Sequence, residues 1–522
     1  MGASLLAIYA LLRAGFYFAN AAYFEDVPRA DVLLAFLYAL RFDVAGLILL
    51  NAPVLVLWIQ PFPAIKPGWY KRVTFALFAL LNTAGFIVNI ADLAYYPMVQ
   101  RRLVFEPFAS PGYFLGQFPG WLATYPVVVV GGLALLGGLL YGLGRLARRF
   151  DRTIPETPGW IRGQVCGLLV IFLCIVGVRG GMQDVAMRPA DAFLHSRHGA
   201  VGSMTLNSTY TVLVSRVLSR FAVKRKLPSD EAHRIALGMV ATPDEQQVDS
   251  RYPLYRRPQR TGERRPLNVV ILIQESWTWA HLGPNEHGIS RTPFFDRLAK
   301  DGALFTNFLA TGQRSSEAVP SILASIPSLF RRPLIGSQYE LAHLRGLGNL
   351  LGVHGYQCRF HHGGHRTSEG FPGFTGVVGF DAYYGRSDFT ATASEEETYD
   401  GKWGVYDHLF YLDAARKSGS DGAPFVSVIF GLAPHEPYNL PPSLKEQYAV
   451  FTEDTPFQRS LRYSDDVLEM YFAYARKQPW FDETVFLITA DHTRMAPAGS
   501  IYETFHIPLL VYAPGIVEPQ VR

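Results

Sequence analysis

Two regimes of hydrophobic patterning divide this chain. Up to about residue 180, apolar residues run in long stretches with little polar interruption; from about 266 they come in short runs separated by helical patterns. A helix needs roughly 20 mostly apolar residues to cross a bilayer. Five stretches qualify: 5–24, 44–59 with part of the turn before it, 73–96, 121–143 and 161–178. The run from Val127 to Leu140 lacks the polar face that a helix in a soluble bundle keeps. Because such stretches recur as far as residue 180, the first reads as a retained span, not a cleavable signal peptide. Downstream, Asn268–Gln274, 357–361, Phe425–Phe430, Thr484–Ala490 and 507–512 read as strands. The patterns over 296–300, 318–324 and 463–476 read as helices between them. The predicted architecture is a five-helix transmembrane domain over 1–180, a connector over 181–265, and an α/β domain over 266–522. Its sheet is expected to be mostly parallel, with helices on both faces.

Charge adds orientation. Lys66, Lys71 and Arg72 lie between spans two and three, and Arg145, Arg148, Arg149, Arg152 and Arg162 between four and five. Both loops fall on one side, which is therefore cytoplasmic; Arg101 and Arg102 lie opposite. Everything after Gly180 is then outside. Arg41, Asp43, Asn82, Asn89 and Asp92 fall at or within spans, where charge is costly unless paired. They either join helices or line a path for a lipid headgroup or glycan. In the connector, 210–221 is amphipathic and is followed by basic residues through Arg264 and Arg265. It reads as a helix lying on the lipid surface or as a solvated linker. A net charge of +4 is too small to argue for nucleic acid as a partner. Three cysteines, with only Cys358 in the α/β part, exclude a disulfide framework there.

The polar residues at strand ends carry the candidate chemistry. Glu275 ends the first run, His361, His362 and His365 follow the second, His435 follows Phe425–Phe430, and Asp491-His492 follows Thr484–Ala490. In a parallel sheet these ends share one rim, where α/β folds place ligands. Thr292, Pro293 and Gly302 read as N-cap, first position and stop of a helix. Thr311-Gly-Gln-Arg-Ser315-Ser316-Glu317 leads into a second helix over 319–327, whose positive end favours an alkoxide or bound phosphate. Two carboxylates, an imidazole and a hydroxyl suit one divalent cation such as manganese, zinc or magnesium. A metal-bound serine oxygen is a competent nucleophile, and a nearby histidine can protonate the leaving oxygen. The expected result is a phospho-serine passed to a second acceptor.

Taken together, Glu275 after its strand, Thr292-Pro293, Gly312-Gln-Arg-Ser315, Asp491-His492 and His506-Ile-Pro resemble the alkaline-phosphatase/sulfatase superfamily. Five spans followed by this domain resemble the lipoteichoic acid synthase and phosphoglycerol transferase family. The resemblance implies an alkaline-phosphatase-like domain holding one divalent cation, manganese first, through Glu275, Ser315, Asp491 and His492. It implies Ser315 as nucleophile in place of the usual threonine, and His435 as catalytic and substrate-side histidine. The spacing from Gly312 also resembles phosphoethanolamine transferases and favours Ser315 over Ser316. The family's Trp-x-Arg headgroup clamp has no clear match. Arg366, His361 and His362 stand in its place as substrate-binding candidates, and a second metal at His361, His362 and His365 is the weaker alternative. His506 is expected to be structural. The implied protein is a multi-pass enzyme of a bacterial plasma membrane, facing the cell envelope, with a shortened C-terminus. It would move phosphoglycerol from phosphatidylglycerol, the phospholipid donor, to a glycan, glycolipid or polymer acceptor. Alternatives are a phosphoethanolamine transferase, or a degenerate glycan-binding relative. A sulfatase is disfavoured, because no serine near 315 begins a Ser-x-Pro-x-Arg motif.

Overall fold

A computed structural model of the chain describes residues 2–59, 68–105, scattered positions within 126–145, 160–183, 186–218 without 197, 227–242, 245–249, 255–258 and 265–522. Within the last range 284–289, 330–332, 343, 367–368, 420–421, 423, 450–453 and 495–498 are excepted. The N-terminal part is helical: α1 Gly2–Ala19, α2 Arg29–Ile59, α3 Gly68–Val99 and α4 Trp160–Arg179. Among the described residues, the first three are long and apolar enough to cross a membrane, and Gln164–Arg179 is a shorter apolar helix. The predicted fourth span, 121–143, falls largely outside the described residues, as do Lys66, Arg148, Arg149, Arg152 and Arg264. Helix α2 begins well before the predicted residue 44 and runs straight through Arg41 and Asp43.

It can do so because its charge is matched. Arg13 of α1 forks onto Asp43, with Nη1–Oδ2 and Nη2–Oδ1 both 2.7 Å, and Nε donates to Met204 O at 2.8 Å. Asn207 also donates to Asp43 at 2.9 Å. In α3, Asp92 accepts from Leu103 N at 2.8 Å, from Arg102 at 3.0 Å and from the Ser208 hydroxyl. Asn82 and Asn51 exchange amide hydrogen bonds between helices, and Asn89 donates to Thr209 Oγ1 at 2.9 Å. Arg41 donates to Gly180 O at 2.9 Å. These polar groups spend their hydrogen bonds on the protein, as helix-joining residues do. Their partners at 203–211 belong to the connector. Helices α5 Gly199–Thr205 and α6 Ser208–Leu218, with Asn207 between them, have Ser203, Thr205, Asn207, Ser208, Thr209, Tyr210, Thr211 and Ser215 buried. The helix expected on the lipid surface or as a solvated linker is thus enclosed over its first turns, because its polar face matches buried groups of α2 and α3. Residues 219–221 lie outside the described part, and α7 Ser229–Val240 follows later in the connector.

The C-terminal part is built on a sheet of eight strands. In chain order they are β1 Asn268–Gln274, β2 Ala303–Leu309, β3 Gln357–His362, β4 Ala382–Tyr384, β5 Phe425–Phe430, β6 Thr484–Ala490, β7 His506–Tyr512 and β8 Gln520–Val521. The spatial order is β8-β2-β7-β6-β1-β5-β3-β4, and β7 alone runs antiparallel to its neighbours. The mostly parallel sheet is as expected.

Strand β1 is covered on both faces, and its alternate residues serve two cores. Val270 and Leu272 pack with α8 Pro293–Leu298, α11 Asp407–Lys417 and α12 Pro456–Ala475. Ile271 and Ile273 pack with α9 Ser315–Ala324 and α10 Phe371–Val377. Thr292 precedes α8 without capping it through its side chain; Asp465 of α12 accepts from Phe294 N and Phe295 N at 2.8 and 2.9 Å instead.

Candidate active site

Strand pairing brings the acidic residues together. β1 and β6 are neighbours with Gln274 beside Ala490, so the next residues, Glu275 and Asp491, leave the sheet side by side. Glu275, Asp491 and His492 are all buried, and their ligand atoms lie within 4.8 Å of one another. Ser276 Oγ donates to Glu275 Oε1 at 2.7 Å, while Ser276 N and His492 N hold Asp491 Oδ1 at 2.9 and 2.8 Å. That leaves Asp491 Oδ2 for the serine: Ser315 Oγ donates to it at 2.8 Å and lies 3.5 Å from His492 Nε2. Ser315 opens α9, so its hydroxyl stands at the positive end of a helix. The turn before it needs Gly312, where a Cβ would lie 2.4 Å from the Glu317 carboxylate, which accepts from Gln313 N at 2.8 Å. Ser316 faces elsewhere.

The donor set fits a cation. His492 Nδ1 lies 2.8 Å from Thr493 O, a contact that requires the proton on Nδ1 in the neutral ring. Nε2 then turns its lone pair to Asp491 Oδ2 at 3.1 Å and Glu275 Oε1 at 3.8 Å. Burial, and then the neighbouring Asp491 charge, push the Glu275 carboxyl well above the usual carboxylate range. Two buried acids and an imidazole lone pair facing one point repel one another, and a divalent cation between them relieves this.

The other candidates divide. His362 stacks on Phe430, its Nδ1 is 3.3 Å from Phe430 O, and the Asp491 and His435 charges act on it; burial lowers its pKa to about 4. His435 is half-buried, with Nδ1 2.9 Å from Glu436 O, so Nε2 is the nitrogen left for a substrate. His361 points to the opposite face of β3. It is wholly buried against Tyr384, and burial lowers its pKa to about 3, so it is not brought to the group. Arg366 is committed to Asp388 at 2.9 and 3.1 Å, and His365 contacts Arg386 at 3.2 Å. These side chains do not gather into a second metal group among the described residues. His506 contacts Thr306 O at 2.7 Å and stacks on Trp279, a structural placement.

Trp403 is the residue that sequence reasoning missed. Its ring is 4.2 Å from His435, and its Nε1 donates to Glu436 O at 2.7 Å, the same carbonyl that His435 Nδ1 meets. The loop carrying it is tied by Asp400, whose carboxylate accepts from Lys402, Trp403 and Gly404 N–H groups at 2.9, 2.7 and 2.9 Å. An Asp-x-Lys-Trp-Gly turn was the available signal, but nothing local ties it to a histidine 32 residues on.

The sulfatase family model matches residues 267–522. Lipoteichoic acid synthase 1 of Bacillus subtilis is 25% identical over 239 residues, covering 44% of this chain and 37% of that protein. The ulvan-active sulfatase of Formosa agariphila is 22% identical over 293 residues, covering 48% and 56%. Phosphoglycerol transferase I of Escherichia coli is 24% identical over 262 residues, covering 46% and 33%. In each case the match spans less than two thirds of the relative's own length. Residues 267–522 are thus a sulfatase-family domain, with lipoteichoic acid synthases and a phosphoglycerol transferase among its relatives.

Proposed function

We propose that this chain is a membrane-anchored phosphoglycerol transferase that works through a phospho-serine. The observation that carries the reading is the Ser315 hydroxyl, at the mouth of α9, hydrogen-bonded at 2.8 Å to an acid of the buried group. A divalent cation held by Glu275, Asp491, His492 and Ser315, manganese first among the fitting ions, would supply charge stabilisation at the serine and phosphoryl oxygens.

Within the chain, Asp491 Oδ2 is the acceptor in line for the serine proton. Ser315 Oγ attacks phosphorus, the P–O bond to diacylglycerol breaks, and His435 gives its proton to the departing oxygen. In the second half an acceptor hydroxyl on a glycan, glycolipid or polymer attacks the phospho-serine. It passes its proton to His435, and Ser315 Oγ leaves and recovers its own. Trp403 and Glu436 O keep the His435 ring turned so that Nε2 serves both halves.

The names of the synthase and phosphoglycerol transferase relatives support this reading; that of the ulvan-active sulfatase supports sulfate ester cleavage. Against the latter, Ser315-Ser-Glu-Ala lacks the proline and arginine of a sulfatase's modified residue. The test is headgroup-labelled phosphatidylglycerol or phosphatidylethanolamine in membranes carrying the full chain. Diacylglycerol from the first supports the proposal, from the second a phosphoethanolamine transferase, and from neither overturns both.

A further inference from the structure

A cavity of about 360 Å³ lies at the seam between the helical part and the sulfatase-family domain. Arg188, Val214 and Ser215 line one side, and Ser316, Glu340 and Glu369 the other. Ser316 follows the candidate nucleophile, so the cavity abuts the first turn of α9 on the side facing α6.

Glu340 makes this more than a packing gap. It is 2% exposed, and Oε2 accepts from Gly336 N at 2.8 Å. Among the described residues Oε1 has no hydrogen-bond partner. Native interiors rarely leave such an atom unmatched, and a ligand entering the cavity is the group able to reach it. Arg188 and Glu369 carry opposite charges, so the lining does not select a cation or an anion. Burial pushes the Glu340 carboxyl up to about 8, so at neutral pH it is an uncharged acid that can both give and accept a hydrogen bond. A hydroxyl matches that behaviour; an ammonium does not.

We infer that the cavity binds a hydroxyl-bearing lipid headgroup, glycerol or sugar, with Glu340 as its anchor and Ser316, next in the chain to Ser315, in its wall. The inference rests on the transferase reading for its purpose but not for its test. A glycerol headgroup would come from the donor lipid and a sugar from the acceptor, and the two are separable by affinity.

The test is titration calorimetry of the full chain in amphipol with dihexanoyl phosphatidylglycerol, octyl glucoside and dihexanoyl phosphatidylethanolamine. Glu340→Leu should weaken binding of a hydroxyl-bearing ligand by roughly tenfold or more while leaving phosphatidylethanolamine unaffected. Val214→Trp, which fills the cavity from the opposite wall, should do the same if Glu340→Leu fails to fold. Which ligand suffers identifies the source. Unchanged affinities, equal losses for every ligand, or a wild-type chain that binds neither polyol lipid would overturn the inference. Absence of diacylglycerol release alongside intact, Glu340-dependent binding would instead remove the transferase reading and leave the cavity assigned.

Discussion

At the scale of single residues, a few buried polar atoms with defined partners shape the candidate site. Asp491 divides its labour: Oδ1 takes two backbone N–H groups and Oδ2 faces Ser315 and His492. Asp491→Ala should therefore lower the metal content of purified protein by elemental analysis, and undiminished stoichiometry would remove Asp491 from the site. Glu340 gives a pH signature. Burial raises its pKa from 4.5 to about 8, so between those values the unfolded chain has lost a proton that the folded chain keeps. Stability from this group is full below about 4.5 and declines as pH rises to about 8. Glu340→Gln, which cannot titrate, should show a shallower fall in Tm from pH 5 to 8 than wild type; parallel curves would contradict the assignment. Glu275, Asp491, His492 and Ser315 were legible in the sequence, because strand ends and a helix start fix their places. His361 was misread for a reason of period: adjacent residues of a strand face opposite ways, so His361 and His362 could not both reach the site.

At the scale of elements, the readable strands were those buried on both sides. β1 and β5 are almost wholly buried and stood out as apolar runs. β2 was missed because its residues are mostly half-exposed or exposed, with Thr306 and Asn307 in the middle. β4 and β8 were missed because they are three and two residues long. Thr292 looked like a cap, yet Asp465 from a distant helix does that work, a tertiary solution no local pattern displays. The 400–404 loop is the same kind of case. Its indole fixes the carbonyl that orients His435, so Trp403→Ala should lower kcat by roughly tenfold to a hundredfold with a smaller effect on KM. Trp403→Phe, which keeps the ring contact but not the hydrogen bond, should fall between. Unaltered kcat in both variants would make Trp403 merely structural.

At the scale of the whole molecule, the helical part and the sulfatase-family domain meet through close packing. A Cβ at Gly373 would come 2.6 Å from Ala190, and one at Gly376 would come 2.5 Å from Phe193 O. Val377 shares a core with Phe42, Met187, Phe193 and Tyr210. Under the proposed function this contact would set where the serine stands relative to the N-terminal helices, which a lipid donor would need and a soluble ester would not. Gly376→Val should therefore reduce diacylglycerol release several-fold while a soluble aryl phosphodiester turns over as before; equal losses would mean that the domain itself is disturbed. The burial of α6 was not legible, since an amphipathic helix presents the same pattern to lipid and to a polar groove between spans.

The most direct test of the central claim is mass spectrometry of the full chain quenched during incubation with phosphatidylglycerol and manganese. The account predicts a glycerophosphoryl adduct on the peptide containing Ser315, absent from Ser315→Ala, whose turnover should fall by at least about a thousandfold. An adduct on another residue, or diacylglycerol release that survives Ser315→Ala, would contradict it.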